Sequence, residues 1–447
     1  MSDLRTFLNQ LEDREDLVRI KEPLSPNLEV AAALQRFDTG KALLFEKVEG
    51  FDTKIVGGVC GTRERILFGL GINAKELYPR LQQAIKNPTR CDVVEKGTIS
   101  DVVEKGDLTK LPILTHFNGD PGPFITSGIL YAKSHDGNVE NVSFHRLMAL
   151  DPQRMTIRIV PRHLHRLTQL ARQAGKKTLD CCISVGLHPA VMLAASLPTS
   201  WGTCEYDVAN NLLEGQLSLI RCPHVDALAP ADAELVLECR IRLDEEVDEG
   251  PFVDLSGTFD VRRKQPVVEL VGVMHRKDYL YQALLPSGSE HMLLMGIGPE
   301  VRIWEYCMNI VPTVRGVNMT LGGNGWLHCV VAFDKVREGD PKNVLMAMFA
   351  AHPSLKHAVV VDGDIDPMNM RDVEWAIATR FRGDEDLLIV PGVRVSSLDP
   401  TADQQTELGC KVGVDATRPL GKPKEKFMKA EITVPNRVRK ILDRYSG

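Results

Sequence analysis

The stretch Glu-Gly-Pro-Phe-Val-Asp at 249–254 sets two carboxylates, Glu249 and Asp254, five residues apart around a Gly-Pro corner. On a straight strand an odd spacing puts side chains on opposite faces. A bend at the permissive Gly250 and the rigid Pro251 could bring both acids to one cavity. Two carboxyl groups in unlike surroundings can divide acid–base work, one holding position while the other moves a proton. Arg146, at the end of Asn-Val-Ser-Phe-His-Arg (141–146), is the cation that could tell them apart. Its guanidinium stays charged at any working pH and can grip one carboxylate with two donors.

A second set joins Asn141, His163 and Glu205. Asn141 heads a strand-like run, His163 sits between the strand-like 154–160 and the helix after it, and Glu205 begins a helix-like stretch over 204–213. Helix N-termini carry unpaired N–H groups that attract phosphate and the cations that travel with it. An amide oxygen, an imidazole and a carboxylate suit Mn²⁺ or Mg²⁺ better than thiolate-bound zinc. Singly, each residue also has an ordinary structural use. Asn141 can bond a turn, His163 can end a helix, Glu205 favours a first helical turn, and Arg146 can form a plain salt bridge. Glu249 and Asp254 can be solvated acids beside the acidic run 244–249. His291, Arg302 and His328 are further candidates for substrate contact, and several of them facing one pocket would favour a second acidic group on the substrate.

These side chains need elements to hold them. Residues 3–20 carry Leu4, Phe7, Leu8, Leu11, Leu17 and Val18 at mainly helical spacing, which predicts an amphipathic helix. Apolar runs at 42–48 and 54–59 and a helix-like stretch near 75–86 complete a small α/β portion. A Pro- and Gly-rich passage at 111–128 changes the texture. Short alternating runs then dominate to about 297, at 128–134, 141–150, 154–160, 216–222, 233–243 and 267–275, which predicts a β-rich barrel or sandwich. Beyond 298, α/β texture returns and closes in a helix at 436–445. The expected architecture is α+β multidomain: 1–110, 111–297 and 298–447.

Composition narrows the class. With 54 basic and 60 acidic residues and a net charge of −6, no broad cationic surface invites nucleic acid or an anionic membrane. The longest apolar stretch, 190–197, is too short to span a bilayer, and the N-terminus lacks a signal-like apolar core, so a cytoplasmic location is expected. Ten cysteines without CxxC spacing read as reduced, mostly buried thiols. No GxxxxGK[ST], HExxH, GxSxG or well-placed GxGxxG occurs.

In order and spacing, these motifs resemble the UbiD-type decarboxylases, which use prenylated FMN. The likeness rests on 141–146, His163 in Pro-Arg-His-Leu-His-Arg, Glu205 in Cys-Glu-Tyr-Asp-Val-Ala-Asn, 231–238 and 249–257. It extends to Gly-Asp-Ile-Asp-Pro and Leu-Gly-Cys-Lys-Val-Gly-Val-Asp-Ala-Thr near the end. The resemblance implies an N-terminal α/β portion, a central split β-barrel that binds flavin, and a C-terminal α/β domain that mediates homodimer or higher homo-oligomer formation. It implies Asn141, His163 and Glu205 as ligands of Mn²⁺ or Mg²⁺, with K⁺ nearby, and Val142, Ser143, Phe144, His145, Arg146 and Arg162 beside them along the flavin. It implies Arg146, Glu249 and Asp254 as the catalytic triad, with Asp254 as proton donor where other members have Glu.

The cofactor would come from a separate flavin prenyltransferase. The implied reaction is reversible decarboxylation of an aromatic or heteroaromatic acid, 2,5-furandicarboxylate first, then phenolic benzoates or pyrrole carboxylate. Two rivals stand beside it. A metal-dependent hydrolase would need the cation but no flavin, and a non-catalytic carboxylase subunit would release no CO₂ even when loaded.

Overall fold

The computed structural model describes residues 3–403, 405–430 and 432–445. Leu4, Phe7, Leu8 and Leu11 are buried on one face of the helix Leu4–Asp13, which begins where the Asp3 side chain accepts from the Thr6 N–H at 2.8 Å. The helix expected over 3–20 stops there. Glu15 takes a φ of 56°, and Leu17–Ile20 becomes a strand paired in parallel with Ala42–Phe45. Once a neighbouring strand offers hydrogen bonds, the β-branched Val18 and Ile20 favour extended backbone over another helical turn. This N-terminal sheet has four strands, and the last, Leu280–Ala283, comes from more than 200 residues downstream to pair with Lys54–Gly57.

A nine-stranded sheet forms the centre. Its path runs 124–125, 147–151, 154–157, 263–275, 235–249, 178–185, 129–133, 140–144, with 102–104 added on the strand 263–275. Alternation places Cys181 in one core and its neighbour Cys182 in the other, so both faces of the sheet are covered. The strand-like run 141–150 divides in two. Glu140–Phe144 pairs with Ile129–Lys133, whereas Leu147–Asp151 pairs with Phe124–Ile125 and Arg154–Ile157 at the other end of the path. His145 and Arg146 occupy the break between them.

The helix Ser289–Met308 carries the chain onward and spans residues 297 and 298, where the sequence texture changes. It leads into a five-stranded sheet ordered 314–319, 328–333, 357–362, 408–416, 387–394. The apolar stretch near 190–197 forms the buried helix Pro189–Ser196, and among the described residues no helix is long and apolar enough to cross a membrane. All ten cysteines are free thiols, nine of them buried. The molecule is a mixed α/β multidomain protein.

Candidate active site

The strand Leu235–Glu249 delivers Glu249, fully buried, to the edge of the central sheet. The chain then turns at Gly250, whose φ of 83° suits glycine, and enters a hairpin in which Phe252 pairs with Asp260 and Val253 with Phe259. The corner does what the spacing suggested. Arg146 donates from Nε to Glu249 Oε1 at 2.8 Å and from Nη2 to Glu249 Oε2 at 3.0 Å, while Nη1 donates to Asp254 Oδ2 at 2.7 Å. The guanidinium also lies 4.6 Å from the centre of the Phe252 ring, which packs on Phe124.

A third carboxylate completes the cluster, and the sequence reading missed it. Asp260 Oδ2 accepts from Arg146 Nη2 at 3.3 Å and from Arg263 Nη1. The signal was the even spacing of Asp254 and Asp260 across a Ser-Gly-Thr turn, which returns the chain to the same guanidinium. Burial opposes the charge on Asp260, but the bond from Arg263 and the charges of Arg146 and Arg263 hold its pKa below the usual carboxylate value. Burial likewise opposes the charge on Arg146, and its bonds and charge contacts with the surrounding acids outweigh it and raise its pKa.

The second set also converges. Pairing of Glu140–Phe144 with Ile129–Lys133 sends Val142 into the core. Alternation puts Asn141 and Ser143 on the other face, where Ser143 Oγ donates to Asn141 Oδ1 at 3.1 Å. Ser143 Oγ also lies 3.0 Å from His145 Nε2, and His145 Nδ1 lies 3.0 Å from the Arg158 carbonyl. Glu205, the first residue of the helix Glu205–Leu212, accepts from Val142 N at 2.7 Å, Thr199 Oγ1 at 2.6 Å and Asn141 Nδ2 at 3.4 Å. His163 opens the helix His163–Gln173 with Nδ1 4.0 Å from Glu205 Oε1, and its ring meets Trp201 edge-on.

This corner fits a divalent cation. Burial pushes the Glu205 pKa up to about 7, against the hydrogen bonds that favour its ionised form, and among the described residues no Lys or Arg side chain pairs with it. Burial and the charges of Arg162 and Arg166 lower the His163 pKa, which favours the neutral imidazole that ligates metals. The Asn141 amide turns Nδ2 towards Glu205; half a rotation presents Oδ1 to a cation instead. Among the described residues no three His, Cys, Asp or Glu side chains form a cation site by themselves, so the amide would have to be the third ligand.

The three substrate candidates separate. His291, in the first turn of Ser289–Met308, accepts at Nδ1 from the Ser287 N–H at 3.1 Å. Burial lowers its pKa, with Asp254 opposing and Arg146 adding to the shift, so it belongs with the carboxylate cluster. Arg302 lies instead beside Arg162 at the other corner: partial desolvation and the Arg302 charge lower the Arg162 pKa. His328 pairs with Thr320 at 2.9 Å, and burial with the His357 charge takes its pKa down to about 4.

Three family models match consecutive parts of the chain. They are the UbiD 3-octaprenyl-4-hydroxybenzoate carboxy-lyase N-terminal domain over residues 8–85, its Rift-related domain over 92–289 and its C-terminal domain over 292–416. Among curated proteins, the chain is similar to anhydromevalonate phosphate decarboxylase of Methanothermobacter thermautotrophicus, 44% identical over 428 residues that cover 95% of this chain and 99% of the relative. Among solved structures, it superposes on the UbiD-class enzyme HmfF from Pelotomaculum thermopropionicum in complex with FMN at a TM-score of 0.95 and 36% identity, covering 99% of this chain and 100% of that one. An evolved dimeric form of HmfF in complex with prFMN gives a TM-score of 0.91 and 34% identity, with 99% of each chain covered.

Proposed function

The chain belongs to the UbiD carboxy-lyase family, and on that premise we propose that it reversibly removes CO₂ from an unsaturated acid with prenylated FMN. The prFMN complex of the evolved HmfF supports the cofactor assignment. When bound, the flavin supplies the electron sink for the pair left on carbon as CO₂ departs. Asn141, His163 and Glu205 would hold Mn²⁺ or Mg²⁺ against its phosphate, with K⁺ nearby, while Ser143, His145 and Arg162 would line it; the side chains of Val142 and Phe144, expected there too, face the core instead and leave only their backbone to meet it. In this reading residues 111–297 form the family's split barrel, 1–110 its N-terminal portion and 298–447 its oligomerisation domain. A flavin prenyltransferase supplies the cofactor.

Within the pocket, Arg146 binds the substrate carboxylate and orients the bond that breaks. Glu249 fixes the guanidinium from behind, and Asp254 delivers a proton to the carbon that CO₂ leaves. The observation that carries this reading is the single guanidinium that takes Glu249 on two donors and Asp254 on a third, across 103 and 108 residues of chain.

For the substrate we favour a phosphorylated unsaturated acid of the anhydromevalonate phosphate kind over 2,5-furandicarboxylate. The relative at 44% identity supports it. So does Arg302, a second guanidinium beside the cofactor-lining Arg162 with no carboxylate partner among the described residues, which is suited to a further phosphate group. Arg302 then belongs to the phosphate end of the site and His291 to the carboxylate end.

The test is co-expression with a flavin prenyltransferase, an absorption spectrum, and CO₂ release from anhydromevalonate phosphate, its dephosphorylated form, 2,5-furandicarboxylate, phenolic benzoates and pyrrole-2-carboxylate. The expected result is release from the phosphorylated acid and much less from the dephosphorylated one. Release from no acid by flavin-loaded protein would overturn the reading. Hydrolytic activity with metal alone would replace it with the hydrolase rival.

A further inference from the structure

A guanidinium has five N–H donors. In Arg146 the Nε proton and one Nη2 proton go to Glu249, one Nη1 proton goes to Asp254, and the second Nη2 proton goes to Asp260. One proton is left, on Nη1. A substrate carboxylate therefore meets Arg146 at a single donor, in a single register.

Asp260 is what closes the other choice. Without it, the second Nη2 proton becomes a further free donor, and a bound acid can swing onto Nη2, away from the register that faces Asp254. Asp260 is itself fixed for the task. Its Oδ1 accepts from Val261 N at 2.8 Å, and its Oδ2 is shared between Arg146 and Arg263, with Arg158 Nε 4.0 Å away.

The hairpin binds the two aspartates into one unit. Asp260 pairs with Phe252, and the turn between Asp254 and Thr258 is closed by Gly257 N to Asp254 O at 2.8 Å and Asp254 N to Thr258 O at 3.1 Å. The hairpin is also braced from outside. Phe252 rests on Phe124, and Phe259 packs so closely over Gly119 that a Cβ there would lie 2.6 Å from its ring.

We infer that Asp260 is a positioning residue of the decarboxylation site: it occupies the second Nη2 proton of Arg146, so that the substrate carboxylate binds only at Nη1 beside Asp254. The inference rests on the proposed function above. Its signature is a split between binding and turnover, because an acid drawn onto Nη2 is still held by the guanidinium but lies wrongly for protonation.

The experiment compares wild type, Asp260→Asn and Asp260→Glu as cofactor-loaded protein, on the acid that releases most CO₂ from wild type. Crystal structures of the three proteins without added substrate give a readout independent of activity. For Asp260→Asn the expected result is a fall in kcat of about tenfold or more with KM unchanged or lower, and an Arg146 whose Nη2 has left residue 260. Asp260→Glu, which restores the carboxylate on a longer arm, should recover part of kcat.

Wild-type kcat in Asp260→Asn, or a raised KM with kcat intact, would overturn the inference, as would an unmoved Arg146 in its crystal structure. If Asp260→Asn does not fold, Asp260→Ala, which likewise removes the carboxylate from Nη2, decides by the same readouts: a shifted Arg146 with lowered kcat supports the role, and wild-type values for both refute it. Silence of wild type towards every acid would instead refute the proposed function, so the two failures are distinguishable.

Discussion

The candidate site has two acidic corners, and their charges are balanced in opposite ways. Around Arg146, three carboxylates share one guanidinium, with Arg263 and Arg158 on the outer side of Asp260. Around Glu205, one carboxylate is buried among neutral donors, with a lowered-pKa imidazole 4.0 Å away. The first corner is self-sufficient because its counter-charge is part of the chain. The second carries a desolvation cost that an added cation would relieve. In the proposed function the first corner would be the reacting centre and the second the docking point for an ion, and this difference in charge balance fits those roles.

The largest test of the comparison is Arg146→Gln. Removing the shared cation leaves Glu249, Asp254 and Asp260 facing one another, and a loss of about 3–5 kcal/mol in denaturant unfolding is expected together with loss of turnover. A stability within about 1 kcal/mol of wild type would mean that the cluster is not held by that guanidinium.

Next in size is the pH response of the metal-free protein. The folded pKa of Glu205 is raised to about 7, so the folded state keeps a proton that the unfolded chain has already released. The stability it contributes is fully present below the ordinary carboxylate pKa and is lost as pH rises through about 7, on the order of 3 kcal/mol. Glu290, where burial also raises the pKa to about 7 against bonds from the Gly58 and Cys60 N–H groups, adds a fall of the same sign. Urea melts at pH 5 and pH 8 measure the sum. Mn²⁺ should remove the Glu205 share, as should Glu205→Gln, and neither should touch the share removed by Glu290→Gln.

A smaller effect separates ligand from scaffold at His163, whose side chain is 29% exposed. His163→Ala should cost under about 1 kcal/mol without metal. It should also abolish the Mn²⁺-dependent rise in melting temperature that saturating metal gives the wild type. The smallest is Arg302→Gln. Separating the like charges of Arg162 and Arg302 should leave stability unchanged within about 0.5 kcal/mol while weakening retention of phosphate-bearing ligands in calorimetry.

How much of this was legible depended on how far each signal had to travel along the chain. That Glu249 and Asp254 could share one side was readable at the Gly250-Pro251 corner, because that turn is local chemistry, whereas Arg146, 103 residues away, joined them only through the family resemblance. Asp260 was missed although its signal was also local: the Ser-Gly-Thr turn folds 252–260 into a hairpin that brings Asp260 back to the same guanidinium. The helix Ser289–Met308 contains Gly296, Gly298 and Pro299 and crosses the expected boundary at 297–298. In the fold those glycines are where other segments press in: a Cβ at Gly298 would lie 2.7 Å from Pro198, and one at Gly296 2.9 Å from the Gly325 carbonyl. The strand Leu17–Ile20 was masked by apolar residues that suit either period, and only its partner Ala42–Phe45 decides the matter. His291, Arg302 and His328 looked equivalent in sequence because none carries a local sign of which cavity it enters.

The central claim concerns one proton, carried by Asp254 from the Arg146 cluster to the carbon that loses CO₂. Its most direct measurement is exchange of the product's C–H hydrogen with D₂O, followed by NMR in flavin-loaded wild type and Asp254→Asn. The account predicts exchange in wild type and its loss in the variant, with the flavin absorption spectrum preserved in both. Undiminished exchange in Asp254→Asn would contradict it.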